Sequence, residues 1–135
     1  MKYLICAALL ATPAIANQTT PKDSIADQLV ITSCALGVHV PRLLTCTATN
    51  HTDTTIAALE VAVRVTQQGR SSAWIDTTEN PLFRGPGAIP GGIESGETIQ
   101  LDVMAPPLPS RADRDLIQID VTALRATTAD GAVIE

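Results

Sequence analysis

The chain has 135 residues, 45% of them apolar and 17% charged, with a formal net charge of −5. That is enough for one domain with a core, and its acidity argues against a nucleic-acid partner, whose affinity comes largely from neutralised phosphates. One Trp, one Tyr and one Phe make no stacking platform for bases or sugars.

The opening stretch, "MKYLICAALLATPAIANQTT", reads as an export address. Lys2 supplies the positive end, residues 3–11 form an uncharged apolar run of nine, and Ala14 and Ala16 occupy the small-residue positions of a cleavage site. A membrane span needs roughly 20 apolar residues, and Pro13 and Asn17 end this run well short of that. Residues 1–16 are therefore expected to be a signal peptide. Cleavage discards Cys6, starts the mature chain at Asn17 and leaves no stable membrane span. Eight Lys and Arg then face fourteen Asp and Glu, a net charge of −6. The destination is periplasmic or secreted, an oxidising space, so the remaining cysteines, Cys34 and Cys46, are expected to pair. Closing a loop of about a dozen residues stabilises by on the order of 3 kcal/mol. A redox or metal pair would be expected in a C-x-x-C spacing, which these two lack.

Residues 17–27, "NQTTPKDSIAD", are polar, contain Pro21 and read as a mobile leader; residues 28–135 are the domain. "QLVITSCAL" is apolar and β-branched, and "RLLTCTATN" sets Leu44, Cys46 and Ala48 against Thr45, Thr47 and Thr49 with the period of two that buries one face. "GVHVP" breaks the run between them, which predicts an antiparallel pair with Cys34 facing Cys46. After the turn cluster "NHTDTT" comes the clearest strand, "IAALEVAVRVT", with Leu59, Val61, Val63 and Val65 at alternate positions. Such a run lacks the three-and-four spacing of a helix, and its valines disfavour one.

Residues 67–95 differ, because only "AWIDT" resembles a strand and "NPLFRGPGAIPGG" carries three prolines and four glycines. Long ordered loops are uncommon and often functional, and this one holds Trp74 and Phe83, the two aromatics left after cleavage. "ETIQLDVMAP" alternates again through Ile99, Leu101 and Val103, and the proline-rich "APPLPSRAD" is expected to cross between sheets. "DLIQIDVTALRA" follows with Ile117, Ile119 and Val121, and the Asp130-Gly131 turn lets "AVIE" return as a short last strand. The reading is all-β: a single antiparallel immunoglobulin-like β-sandwich of about 6–7 strands with no helix.

The stretch "CTATNHTDTTIAALEVAVRVTQQG" resembles small exported bacterial β-sandwich domains of the immunoglobulin-like, FxLYD-like kind. The shared pattern is a strand ending in Asn, a polar turn, a valine-rich strand and a turn with Gly. "GIESGETIQLDV" is similar to the Gly-Glu-Thr turn before an alternating strand, although the Phe-x-Leu-Tyr-Asp signature is absent. The resemblance spans about residues 29–104 and implies a fold and an accessory or interaction role, with no active site to carry over.

Chemistry is sparse. His39 and His51 are the only imidazoles, and with Asp53 they make at most a surface metal site, since a closed zinc site needs four ligands. Ser71, Ser72 and Ser95 lie in loops outside any G-x-S-x-G elbow. Asp102, Asp113, Asp115 and Asp120 fall on strand exteriors or loops, where solvated charge is the ordinary role, and Gly85, Gly87, Gly91 and Gly92 lack the G-K-[ST] and helix of a phosphate loop. The triplets at Asn17 and Asn50 match a glycosylation acceptor, a pattern short enough to arise by chance.

No catalytic residue and no cofactor is therefore expected. The expected function is a non-enzymatic protein-interaction or accessory module of the cell envelope, contacting an envelope or extracellular protein through Trp74, Leu82, Phe83 and Arg84, since aromatic and Arg residues are enriched at interface hot spots. A competing structural role has Trp74 plugging the core, while Phe83, next to Arg84 and Gly85, projects outward. The alternative function is a small-ligand or metal carrier using His39, His51 and the loops beside them.

Overall fold

The computed structural model describes residues 24–135, which form two antiparallel sheets around one core. The signal peptide and residues 17–23 of the leader lie outside the described residues. A helical turn, α1 (Ile25–Gln28), precedes β1 (Leu29–Leu36), β2 (Leu43–Asn50), β3 (Ile56–Gln67), β4 (Ile75–Asp76), β5 (Leu82–Arg84), β6 (Thr98–Met104), β7 (Ile117–Thr128) and β8 (Val133–Ile134). One sheet has the order β1-β2-β6; the other has β4-β3-β7-β8, with β5 also on β3. Since β7 takes one edge of β3 along its whole length, β4 and β5 share the other.

Two expectations change. Ile25, assigned to the leader, is fully buried in α1, and its N–H donates to the Glu135 carbonyl at 3.2 Å, so the domain includes the last residues of that segment. The stretch 67–95 contains β5 as well as β4, which brings the strand count to eight, two of them only two residues long. The crossing by "APPLPSRAD" is as expected, because β6 and β7 belong to different sheets.

The core follows the period-two pattern. Leu44, Cys46 and Ala48 of β2 and Leu101 and Val103 of β6 meet Leu59, Val61, Val63 and Val65 of β3 and Val121 and Ala123 of β7, all buried. Cys34 and Cys46 are joined in a disulfide across a separation of 12 residues. The register of β1 on β2 slips between Thr32 and Ala35, where Ser33 takes a positive φ of 55°. This bulge sets Ser33 and Cys34 together opposite Cys46.

Gly92 shows how tightly the second half of the long connection is fastened. Its φ is +71°, and a Cβ there would stand 2.7 Å from the Ile56 carbonyl oxygen. Ile56 and Ile93 exchange two backbone hydrogen bonds beside it, at 2.9 and 2.8 Å. Gly92→Ala is expected to destabilise by about 1 to 3 kcal/mol, read as a lower denaturant midpoint, whereas Gly69→Ala, with open space around its Cβ, should lose only the positive-φ part.

The sandwich has two distinct ends. At one, the β2–β3 turn meets α1 through the His51 N–H and the Gln28 carbonyl, 2.7 Å. At the other, called distal here, the β1–β2 loop (residues 37–42), the connection after β3 (68–74) and the β6–β7 connection (105–116) come together. The Gln68 N–H donates to the Leu116 carbonyl at 3.1 Å, and Gly37, Val38 and Arg114 line one groove.

Candidate functional site

β5 forms because the outer edge of β3 needs a partner and the Pro81 to Gly85 stretch leaves three residues extended. Leu82 pairs with Val61, Phe83 with Glu60 and Arg84 with Leu59. Strand alternation then turns Leu82 and Arg84 inward, both half-buried, and Phe83 outward with 64% of its surface exposed. Gly85 makes room for the ring, because a Cβ there would meet Phe83 Cε1 at 3.0 Å.

Facing β5 across the seam between the sheets is the free edge of β6. Glu97 accepts from the Asn50 N–H and Ala105 donates to the Arg42 carbonyl, so the odd-numbered residues of β6 turn their backbone groups toward β2. The N–H and C=O groups of Thr98, Gln100, Asp102 and Met104 therefore point away from the sheet, with no strand beside them among the described residues. Between this edge and β5 lies a cleft of about 310 Å³ lined by Arg84, Ile89, Glu97, Ile99, Gln100 and Asp102. The Arg84 Nε is buried at its wall without a hydrogen-bond partner. A buried guanidinium N–H left unpaired costs about 1 to 3 kcal/mol, and native structures rarely carry one without cause.

Trp74 is not part of this cleft. Its backbone N–H bonds the Val65 carbonyl, five residues along β3 from the Glu60 that Phe83 faces, so the two aromatics stand about 17 Å apart on that edge. Its ring is half-buried against the core, with Arg70 over one face at 3.6 Å to the centroid, Arg111 at 5.2 Å and Nε1 donating to Gln67 Oε1 at 2.9 Å. The four residues expected to act together thus divide into a β5 group and a distal-end residue.

The histidines are separated further. His39 precedes β2 and His51 follows it, and eight extended residues place them about 25 Å apart at opposite ends of the sandwich. Asp53 shares the loop of His51 alone, and among the described residues no three His, Cys, Asp or Glu side chains group as metal ligands. Ser95 donates to the Thr52 carbonyl at 2.5 Å and so braces a turn. Asp76 is held below the ordinary carboxylate range by the hydroxyl and the backbone N–H of Thr78, with Arg64 at 3.6 Å adding to it, the surroundings of a structural charge.

Sequence reasoning missed Glu97, Gln100 and Asp102 as cleft residues. Their alternation marked a strand, but whether that strand lies at an edge depends on pairing remote in sequence. Comparison of the chain with known families, with curated proteins and with solved structures found no match.

Proposed function

We propose that this chain is an exported, non-enzymatic module of the cell envelope, periplasmic or secreted, that takes an extended, acidic segment of a protein partner along the β6 edge. The buried, unpartnered Arg84 Nε beside an unpaired strand edge carries this reading. Strand addition satisfies the outward N–H and C=O groups of Gln100 and Asp102, alternate side chains of the incoming strand reach Ile89 and Ile99, and a carboxylate completes Arg84. Glu97 and Asp102 in the same wall disfavour a free small anion, which brings no backbone to pair. Phe83, exposed at the rim, adds an aromatic contact. The Cys34–Cys46 bridge and the absence, among the described residues, of a helix long and apolar enough to cross a membrane are compatible with export. The resemblance to FxLYD-like domains belongs to the same proposal. The carrier reading gains no comparable observation, because its two histidines are not brought together.

A photo-reactive residue at position 83, used in cells that produce the protein, is expected to give one reproducible adduct. Arg84→Gln should lower its yield about tenfold or more, as loss of a hydrogen bond to a charged group implies, with the melting temperature of the purified variant unchanged. An adduct indifferent to Arg84→Gln, or none at all, would overturn the proposal.

A further inference from the structure

The distal end carries a separate set of features, independent of the β5–β6 cleft. Val38 is 89% exposed at the tip of the β1–β2 loop, and Val40, Met104 and Leu116 are exposed around it. These are large apolar side chains on the β1–β2 loop, the end of β6 and the β6–β7 connection, and no described segment covers them.

The same three loops carry Arg42, Arg70, Arg111 and Arg114, four of the seven arginines in the described residues, against only Asp113 and Asp115 of thirteen acids. The distal end is therefore net +2, whereas the rest of the described chain is −8. None of the four has a carboxylate within salt-bridge distance among the described residues; Arg64 and Arg125, out on the sheets, each do. Arg42 and Arg70 donate Nε to the carbonyls of Ala105 and Ser72, at 3.1 and 3.0 Å, which fixes them while leaving their charge uncompensated. Val38 and Arg114 line one groove of about 490 Å³ with Leu36, Ile117 and Ile119, so apolar and cationic groups share a single surface.

We propose that this end docks on an anionic phospholipid surface, with Val38 and its apolar neighbours entering the headgroup region and the arginines pairing with lipid phosphates. A protein groove would require a shape to match these side chains, whereas apolar side chains spread over two connections and a strand end can enter a soft interface without one. Apolar burial and attraction to anionic lipid add in such binding. The acidic remainder of the molecule is repelled by the same surface, which orients the chain with the distal end down.

Trp74, the only tryptophan in the chain, lies between Arg70 and Arg111 and reports on this end alone. The full-length exported chain, purified and mixed with vesicles of 70% phosphatidylcholine and 30% phosphatidylglycerol, is expected to co-sediment, and a nitroxide on the lipid headgroup should quench Trp74. Pure phosphatidylcholine vesicles should bind weakly. Val38→Asp should abolish binding, and Arg111→Gln and Arg114→Gln should each weaken it about fivefold; all three side chains are exposed, so melting temperatures should stay at the parent value. Absence of binding to the anionic vesicles, binding without quenching of Trp74, or indifference to these substitutions would each overturn the proposal. Saturable binding of polyglutamate with bare vesicles would also overturn it and point to an acidic protein instead.

Discussion

Asn50→Ala is expected to destabilise the domain by about 3 to 4 kcal/mol. Asn50 closes β2 with no exposed surface, and all its hydrogen-bonding capacity is used. Its Nδ2 donates to the carbonyls of Thr54 and Ile93, both at 2.8 Å, and its Oδ1 accepts the N–H of Thr52 at 2.9 Å and the Thr52 hydroxyl at 2.6 Å. One side chain thus ties the β2–β3 turn to the end of the long connection. Alanine leaves the Thr52 N–H unpaired inside the protein and opens a cavity that the surrounding backbone is too constrained to fill. The Ile93 carbonyl keeps the Ile56 N–H, and the Thr52 hydroxyl, released from Asn50, can turn to the Thr54 carbonyl 2.9 Å away, so the loss stays well short of the sum of four bonds.

Asn50→Asp separates this account from a simple volume effect. The shape is preserved, but both donors become acceptors aimed at carbonyl oxygens, and a buried charge gains no counter-ion. It should be at least as damaging as alanine. Equilibrium denaturation with an unchanged m-value is the measurement; a loss below about 1 kcal/mol for either variant would mean that the turn holds without its asparagine. The same burial gives the Asn50-His51-Thr52 triplet its meaning: Thr52 is there to bond Asn50, and the folded domain offers no free amide for modification.

This triplet marks one boundary of what could be read from residues alone. The alternation in residues 43–50, 56–67, 98–104 and 117–128 is a local signal, and those strands were legible because one side of each faces a single core. β5 was hidden because proline and glycine flank Leu82, Phe83 and Arg84, and only the waiting edge of β3 makes so short a segment a strand. The bulge at Ser33 was not read from "QLVITSCAL": Thr32 and Ser33 interrupt the apolar run at the register slip, but two polar residues in a strand do not by themselves specify a bulge. At the candidate site, the outward Phe83 was legible from its neighbours. Its separation from Trp74 was not, since one connection carries both while its ends attach at different heights on β3. The distal arginines, up to 72 residues apart between Arg42 and Arg114, come to one end only through the sheet crossing.

Removing the disulfide by reduction is expected to cost about 3 kcal/mol, and the double substitution Cys34→Ala with Cys46→Ala about 1 kcal/mol more. The measurement is the denaturant midpoint with and without reductant: the parent should fall to near the midpoint of the double variant, and the double variant should not respond. Two contributions are mixed in that number. The bridge restricts the unfolded chain over its 12-residue separation, and Cys46 also fills a core position between Leu44 and Ala48. Reduction keeps both sulfur atoms in place, so it removes only the first; the double variant removes both and should lie lower by about 1 kcal/mol for the lost core volume. A third effect is local. The positive φ of Ser33 is held by a bridge that fixes Cys34 opposite Cys46, and without it β1 is free to relax its register on β2. Native-state hydrogen exchange distinguishes the two sources, since a change confined to the unfolded chain lowers protection equally throughout the core. A strained bulge released on reduction would instead show as extra exchange at the Gly37 N–H, which bonds the Leu43 carbonyl at 2.8 Å just beyond the slip. The expected result is both together: a uniform loss across β3 and β7, and a larger one at the β1–β2 hairpin, because the bridge is the covalent link that holds an otherwise edge-bound β1 to the sheet.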